Sequence, residues 1–158
     1  MLRMIIMFNH FMVFVSSVIV TGLVSYFLAR DPYRSAHLIF QEVIAVITLL
    51  FWMFGTFLPL VDRYGGYLMP ANLIMSYLWL TSFIFSAQDW SGNRCWYTGP
   101  RSGNCGRKHT IEAFNFIALF FLLSNTVAEA ILMRSRVDKI AVKDGVPGRR
   151  TDNMASAV

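Results

Sequence analysis

Residues 4–29 read MIIMFNHFMVFVSSVIVTGLVSYFLA, a run in which His10 is the sole member that titrates near neutral pH. A helix rises 1.5 Å per residue, so about 20 apolar residues cross the roughly 30 Å hydrocarbon layer of a bilayer. The run is long enough for such a helix and far too long for a barrel strand, and no period-2 alternation runs through it. Three further stretches share its character. Val43–Val61 carries no charge, and its helix is expected to begin near Leu38. Tyr67–Gln88 is uncharged throughout. Ala113–Ala128 is apolar apart from Asn115, Ser124, Asn125 and Thr126, and its span extends to about Met133. The predicted fold is all-α and integral to the membrane: a four-transmembrane-helix bundle with spans at about 4–29, 38–61, 67–88 and 111–133.

Composition agrees. Of 158 residues, 56% are hydrophobic and 15% charged, and the mean hydropathy is +0.51. Soluble domains carry roughly 25% charged residues, enough to cover their outside. A soluble globule, a disordered chain, a disulfide-dense secreted scaffold and a collagen-like repeat are all excluded. The formal charge of +5 comes from 14 Lys and Arg against 9 Asp and Glu. No basic stripe interleaves with aromatics on one element, so no nucleic-acid partner is expected. The first span is about twice the length of a signal-peptide core and lacks a small-x-small cleavage pattern, which makes it an uncleaved signal anchor.

The connections set the topology. RDPYRSAH (30–37) and DRYGG (62–66) are short turns, Pro70 falls in the first turn of the third helix, and Asp89–Thr110 is the one sizeable loop. Residues 134–158 form an expected cytosolic, disordered basic tail, separate from the membrane domain at 1–133. Four spans put both termini beside DRYGG. Arg3, Arg63, Arg134, Arg136, Lys139, Lys143, Arg149 and Arg150 lie on that side, against Arg30, Arg34, Arg94, Arg101, Arg107 and Lys108 opposite, which favours cytosolic N and C termini. Cys95 and Cys105, the two cysteines, both lie in the large loop with Trp90. A metal clip would have His109 as its one extra ligand, short of a closed zinc site. A disulfide is expected instead, on an oxidising side, stapling the outer loop with about 2–3 kcal/mol.

Polar residues recur on one face of each span: Ser17, Thr21 and Ser25 with Asn9 and His10 below; Gln41, Ala45, Thr48, Trp52 and Gly55; Asn72, Ser76, Trp79, Ser82 and Ser86; and Glu112, Asn115, Ala118, Leu122, Asn125 and Glu129. Helices in lipid associate through small and hydrogen-bonding residues, so these stripes predict a compact bundle. The intramembrane polar residues His10, Glu42, Glu112, Asn115, Asn125 and Glu129 could alternatively line a pathway. The ionisable ones sit near span ends, and no span is broken centrally as transporter helices often are. Packing and interface anchoring is the favoured reading. His10 and Glu129 lie at similar depth, and they pair if the first and fourth helices are neighbours; otherwise each reaches separately to the headgroups.

No phosphate loop, dinucleotide fingerprint, zinc-protease motif or nucleophile elbow is present. Ser91, His109 and Asp89 lie in a Gly-rich loop with no scaffold to hold a triad. No catalytic residue, cofactor or metal is expected, and the protein is not expected to be an enzyme.

Leu73-Ile74-Met75-Ser76-Tyr77-Leu78-Trp79-Leu80, Phe83, Asp89-Trp90, the loop cysteines and Glu112-Ala113-Phe114-Asn115-Phe116-Ile117-Ala118 together resemble the fungal-type MARVEL domain, as does Glu42-Val43-Ile44-Ala45-Val46. The likeness covers most of Met1–Met133. It implies a non-enzymatic tetraspan protein of sterol-rich regions, membrane apposition or vesicle cargo, similar to the group of non-classical export proteins. The expected function is organisation of specialised plasma-membrane or vesicle regions, with the plasma membrane as the expected location. The alternative is a small oligomeric channel or transporter using Glu42 and Glu112. Expected partners are sterol-rich or anionic lipids, a further copy of the chain or other membrane proteins. Arg134, Arg136, Lys139 and Lys143 form the lipid-facing basic tail.

Overall fold

The computed structural model describes residues 2–32, 34–55, 68–100 and 102–143. Its helices are α1 (Leu2–Arg30), α2 (Ala36–Gly55), α3 (Met69–Trp90) and α4 (Cys105–Lys143), with a short 3-10 helix at Gly92–Trp96. The expected end of the second span at 61, the DRYGG turn and tail residues 144–158 lie outside the described residues, as does the side chain of Lys143.

Local chemistry sets the helix ends. Arg30 occupies the last turn of α1, where its charge complements the carbonyl end of the helix dipole. Pro32 then disfavours helical geometry at the residue before it. The Asp31 N–H closes the final turn onto the Phe27 carbonyl at 2.9 Å. Pro70 sits in the first turn of α3, where a missing N–H costs little. Ser91 ends that helix in extended geometry, its N–H still donating to the Ala87 carbonyl.

The helices pack as a ring in chain order. α1 touches α2 and α4, α3 touches α2 and α4, and among the described residues neither diagonal pair meets. Neighbours run antiparallel. Tyr26 lies by Arg107 and His10 by Glu129 between α1 and α4, while His37 meets Asp89 and Thr48 meets Trp79 between α2 and α3.

The expected tail differs in the structure. α4 is a single helix of 39 residues, about 58 Å at 1.5 Å per residue, and it runs past Met133 to Lys143. Residues 134–143 are therefore helical rather than disordered. RSRVDKIAVK contains neither Gly nor Pro, and extending an existing helix avoids the costly nucleation step.

Polar side chains face inward and apolar ones outward. On α3, Asn72, Ser76, Trp79, Ser82 and Ser86 are buried, whereas Leu73, Ile74, Tyr77, Leu80 and Ile84 are exposed. On α4, Asn115, Ala118, Leu122, Asn125 and Glu129 are buried, and Phe116, Phe120, Leu123 and Val127 face out. Gln41, Ala45, Thr48 and Trp52 form the buried face of α2. Among the described residues, three helices are long and apolar enough to cross a membrane: Met4–Arg30, Ala36–Phe54 and Cys105–Ile140. α3, the third expected span, falls outside that set although it has 22 residues. Its buried Asn and Ser residues lower its average while its outward face stays apolar.

At the middle of the bundle the Trp79 indole N–H donates to Thr48 Oγ1 at 3.0 Å, and Thr48 donates to its own Ile44 carbonyl at 2.7 Å. Thr48→Val should strand the buried indole donor and cost about 1–3 kcal/mol. Ile74→Ala, on the outward face, should stay within about 0.5 kcal/mol. Thermal unfolding of both variants in detergent micelles checks the pair.

Candidate functional site

The loop joining α3 to α4 is folded down onto the bundle. Cys95 and Cys105 are disulfide-bonded with Cα atoms 5.4 Å apart, tying the 3-10 helix to the first residue of α4. Gly92 and Gly103 turn the chain at φ +67° and +84°, a region an L side chain rarely adopts. Trp90 is buried, and its indole N–H donates to the Gly99 carbonyl at 3.1 Å. Thr98 Oγ1 donates to the Asp89 carbonyl at 2.6 Å.

Lys108 holds the loop from below. Its ammonium donates to the carbonyls of Cys95 and Thr98, both at 2.8 Å, and the side chain is fully buried. Carbonyl dipoles replace the water this charge gives up, and charge-assisted hydrogen bonds are the stronger kind. The same end is fastened laterally. His37 Nδ1 lies 3.0 Å from Asp89 Oδ2, its ring stacks on Phe85 at 4.2 Å, and the Arg107 guanidinium covers the Tyr26 ring at 4.6 Å. Trp96 and Tyr97 are left exposed on top.

The polar residues of the spans fall into separate groups. Glu42 accepts a hydrogen bond from Ser25, and Glu112 meets His109 Nδ1 at 3.2 Å, so the two carboxylates of the channel alternative sit in different pairs. Asn115 Nδ2 donates to Ser86 Oγ at 3.2 Å across α3 and α4. At the other end His10 Nε2 is 3.6 Å from Glu129 Oε1, with both side chains fully buried, and Asn125 is buried one turn along α4. Arg134 and Lys139 are exposed on the α4 extension and Arg136 is half-buried. Ser91, His109 and Asp89 are not brought together, since Asp89 faces His37 and His109 faces Glu112.

Sequence reading counted Lys108 among the loop's basic residues and left its buried role unseen. The available signal was its spacing, one helical turn beyond Cys105 and on the same side of the helix. The His37–Asp89 contact had no such signal, because it joins residues 52 positions apart.

Lys108→Met should leave two loop carbonyls without their donor. The expected loss is about 1–3 kcal/mol, with faster reduction of the disulfide by added thiol, read by mass spectrometry after alkylation. For the other end, a double-mutant cycle on Glu129→Gln and His10→Ala should show coupling of about 0.5–3 kcal/mol. Additive losses would mean that the two side chains act independently.

The MARVEL family, described as a membrane-associating domain, matches residues 3–128. No curated protein and no solved structure matches the chain. The matched region covers all of α2 and α3 and most of α1 and α4, including the disulfide loop, the Lys108 cap and the buried polar stripes up to Asn125, with Glu129 one residue beyond its end. The chain is a membrane protein and belongs to the MARVEL family.

Proposed function

We propose that this chain crosses the membrane four times and acts as a non-enzymatic organiser of specialised plasma-membrane or vesicle regions, serving membrane apposition, microdomain or cargo organisation. The carrying observation is the partition of side chains, with polar groups buried and large apolar ones such as Phe8, Leu50, Tyr77 and Phe120 facing out. Such a surface suits lipid and would associate in water. The outward face of α3, with Leu73, Ile74, Tyr77, Leu80 and Ile84, supports its crossing as the fourth span. Membership of a membrane-associating family supports the organising role.

A disulfide persists on an oxidising face, and the Cys95–Cys105 bond therefore supports a Trp90 loop outside the cell or in a lumen. The first residues of α1 and the α4 extension then face the cytosol. There Arg134, Arg136, Lys139 and Lys143 would attract anionic headgroups by about 1 kcal/mol per charge. Lipid is the first partner in this reading; a second copy or another membrane protein would meet the outward apolar faces.

The test is live imaging of a tagged copy in its native host, with photobleaching recovery before and after sterol extraction. Immobile plasma-membrane patches that disperse on extraction are expected, and a uniform, freely diffusing signal would overturn the reading. Replacing Arg134, Arg136, Lys139 and Lys143 together by Gln should reduce patch targeting. Unchanged targeting would remove the α4 extension from the mechanism.

A further inference from the structure

At the end of the bundle that carries the cysteine loop, a cavity of about 380 Å³ opens beside α1 and α2, lined by Ser25, Leu28, Ala29, Arg34 and Ile39. Its volume lies at the small end of the roughly 300–1,000 Å³ range of ligand sites. α1 and α2 are both long and apolar enough to cross a membrane. With both crossing, the turn that joins them lies at a membrane surface. Arg34 belongs to that turn, and Ser25 stands one and a half turns of α1 below it, about 7 Å deeper at 1.5 Å per residue.

The two polar groups ask for different things. Arg34 is exposed, and its guanidinium presents a planar fork of donors that matches a phosphate. Ser25 donates its hydroxyl hydrogen to Glu42 on α2. Among the described residues Glu42 Oε2 makes no hydrogen bond, so the carboxylate is held through Ser25. A hydroxyl has one hydrogen and two lone pairs, which leaves Ser25 Oγ an acceptor toward the cavity. An occupant therefore needs an anion at the surface, a hydroxyl donor just inside it, and an apolar part to lie on Leu28, Ala29 and Ile39. Diacyl phospholipids have the anion, but both glycerol hydroxyls beside it are esterified and offer acceptors alone. Sterols have the hydroxyl and no anion. A lysophospholipid has the phosphate, a free glycerol hydroxyl next to it and a single acyl chain, which suits a cavity this small.

We propose that this cavity binds a lysophospholipid. Arg34 donates to the phosphate, the free glycerol hydroxyl donates to Ser25 Oγ, and the acyl chain lies against Leu28, Ala29 and Ile39. Glu42 is the positioning residue, since it takes the Ser25 hydrogen and fixes the oxygen as an acceptor. The site rests on α1 and α2 crossing the membrane and not on the organising role, so patch formation can fail while it stands.

The test is native mass spectrometry of the full chain released from detergent micelles and titrated with palmitoyl lysophosphatidylcholine. One saturable adduct is expected. Hexadecylphosphocholine keeps the phosphate and the single chain but lacks the hydroxyl, and cholesterol keeps a hydroxyl but lacks the phosphate; each should bind roughly tenfold more weakly or worse. Arg34→Gln and Ser25→Ala each remove one contact and should weaken the adduct by a similar factor. Both positions are exposed, so both variants should fold. Glu42→Ala returns the hydrogen to Ser25 and should erase the preference for lysophosphatidylcholine over hexadecylphosphocholine. Ile74→Ala, on the outward face of α3, should bind as the parent chain does. Equal binding of hexadecylphosphocholine by the parent chain, or an adduct undiminished in both the Arg34 and Ser25 variants, overturns the proposal. A doubled mass that excludes the lipid puts a second copy in the cavity and overturns it as well.

Discussion

The bundle depends on one constraint: hydrogen-bonding side chains on its helices must be answered from within. Four serine hydroxyls meet it locally. Ser16 donates to the Met12 carbonyl, Ser17 to Phe14, Ser76 to Leu73 and Ser86 to Phe83, each at 2.7–2.9 Å. A hydroxyl satisfied inside its own helix leaves a small, nearly neutral surface against which a neighbour can pack. Indoles and carboxamides cannot be satisfied that way. Their reach is longer and their donors point away from the helix, so Trp79 and Asn115 bond across to Thr48 and Ser86. Those cross-links set the register of α3 against both neighbours.

The two ends of the bundle meet the constraint differently. At the loop end the problem is backbone, because a chain reversing through Gly92 and Gly103 leaves carbonyls that no helix satisfies. A cation drawn from α4 answers them, and Lys108 ties Cys95 and Thr98 to the helix that the disulfide also holds. Covalent and electrostatic fastening act on the same few residues, and the buried Trp90 fills the space beneath. At the far end the problem is side chains, with the buried His10 imidazole and Glu129 carboxylate facing each other between α1 and α4. MARVEL membership supplies the membrane context for both ends.

Much of the architecture was legible in the chain. The stripes read from 3-4 spacing on α3 and α4 are the buried faces, from Asn72 to Ser86 and from Asn115 to Glu129. The pairing of the two cysteines followed from their isolation in one loop. The end of α4 was misplaced because hydropathy marks where apolar residues stop, whereas a helix stops where its backbone is broken, and RSRVDKIAVK holds no breaker. The averaged hydropathy of α3 is lowered by its polar inward face, since a mean over all faces combines that face with an apolar outside.

Periodicity and composition alone determined the helical class, the inward faces and the cysteine staple, because each is a property of residues close together in the chain. Tertiary structure decided the ring order of the helices, the burial of Lys108 beneath the loop, the His37–Asp89 contact and the meeting of His10 with Glu129. The last two join residues 52 and 119 positions apart. Nothing local encodes which of several polar residues at similar depth will meet. That choice is made when four faces close on one another, and only partners on adjacent helices at matching levels come within reach.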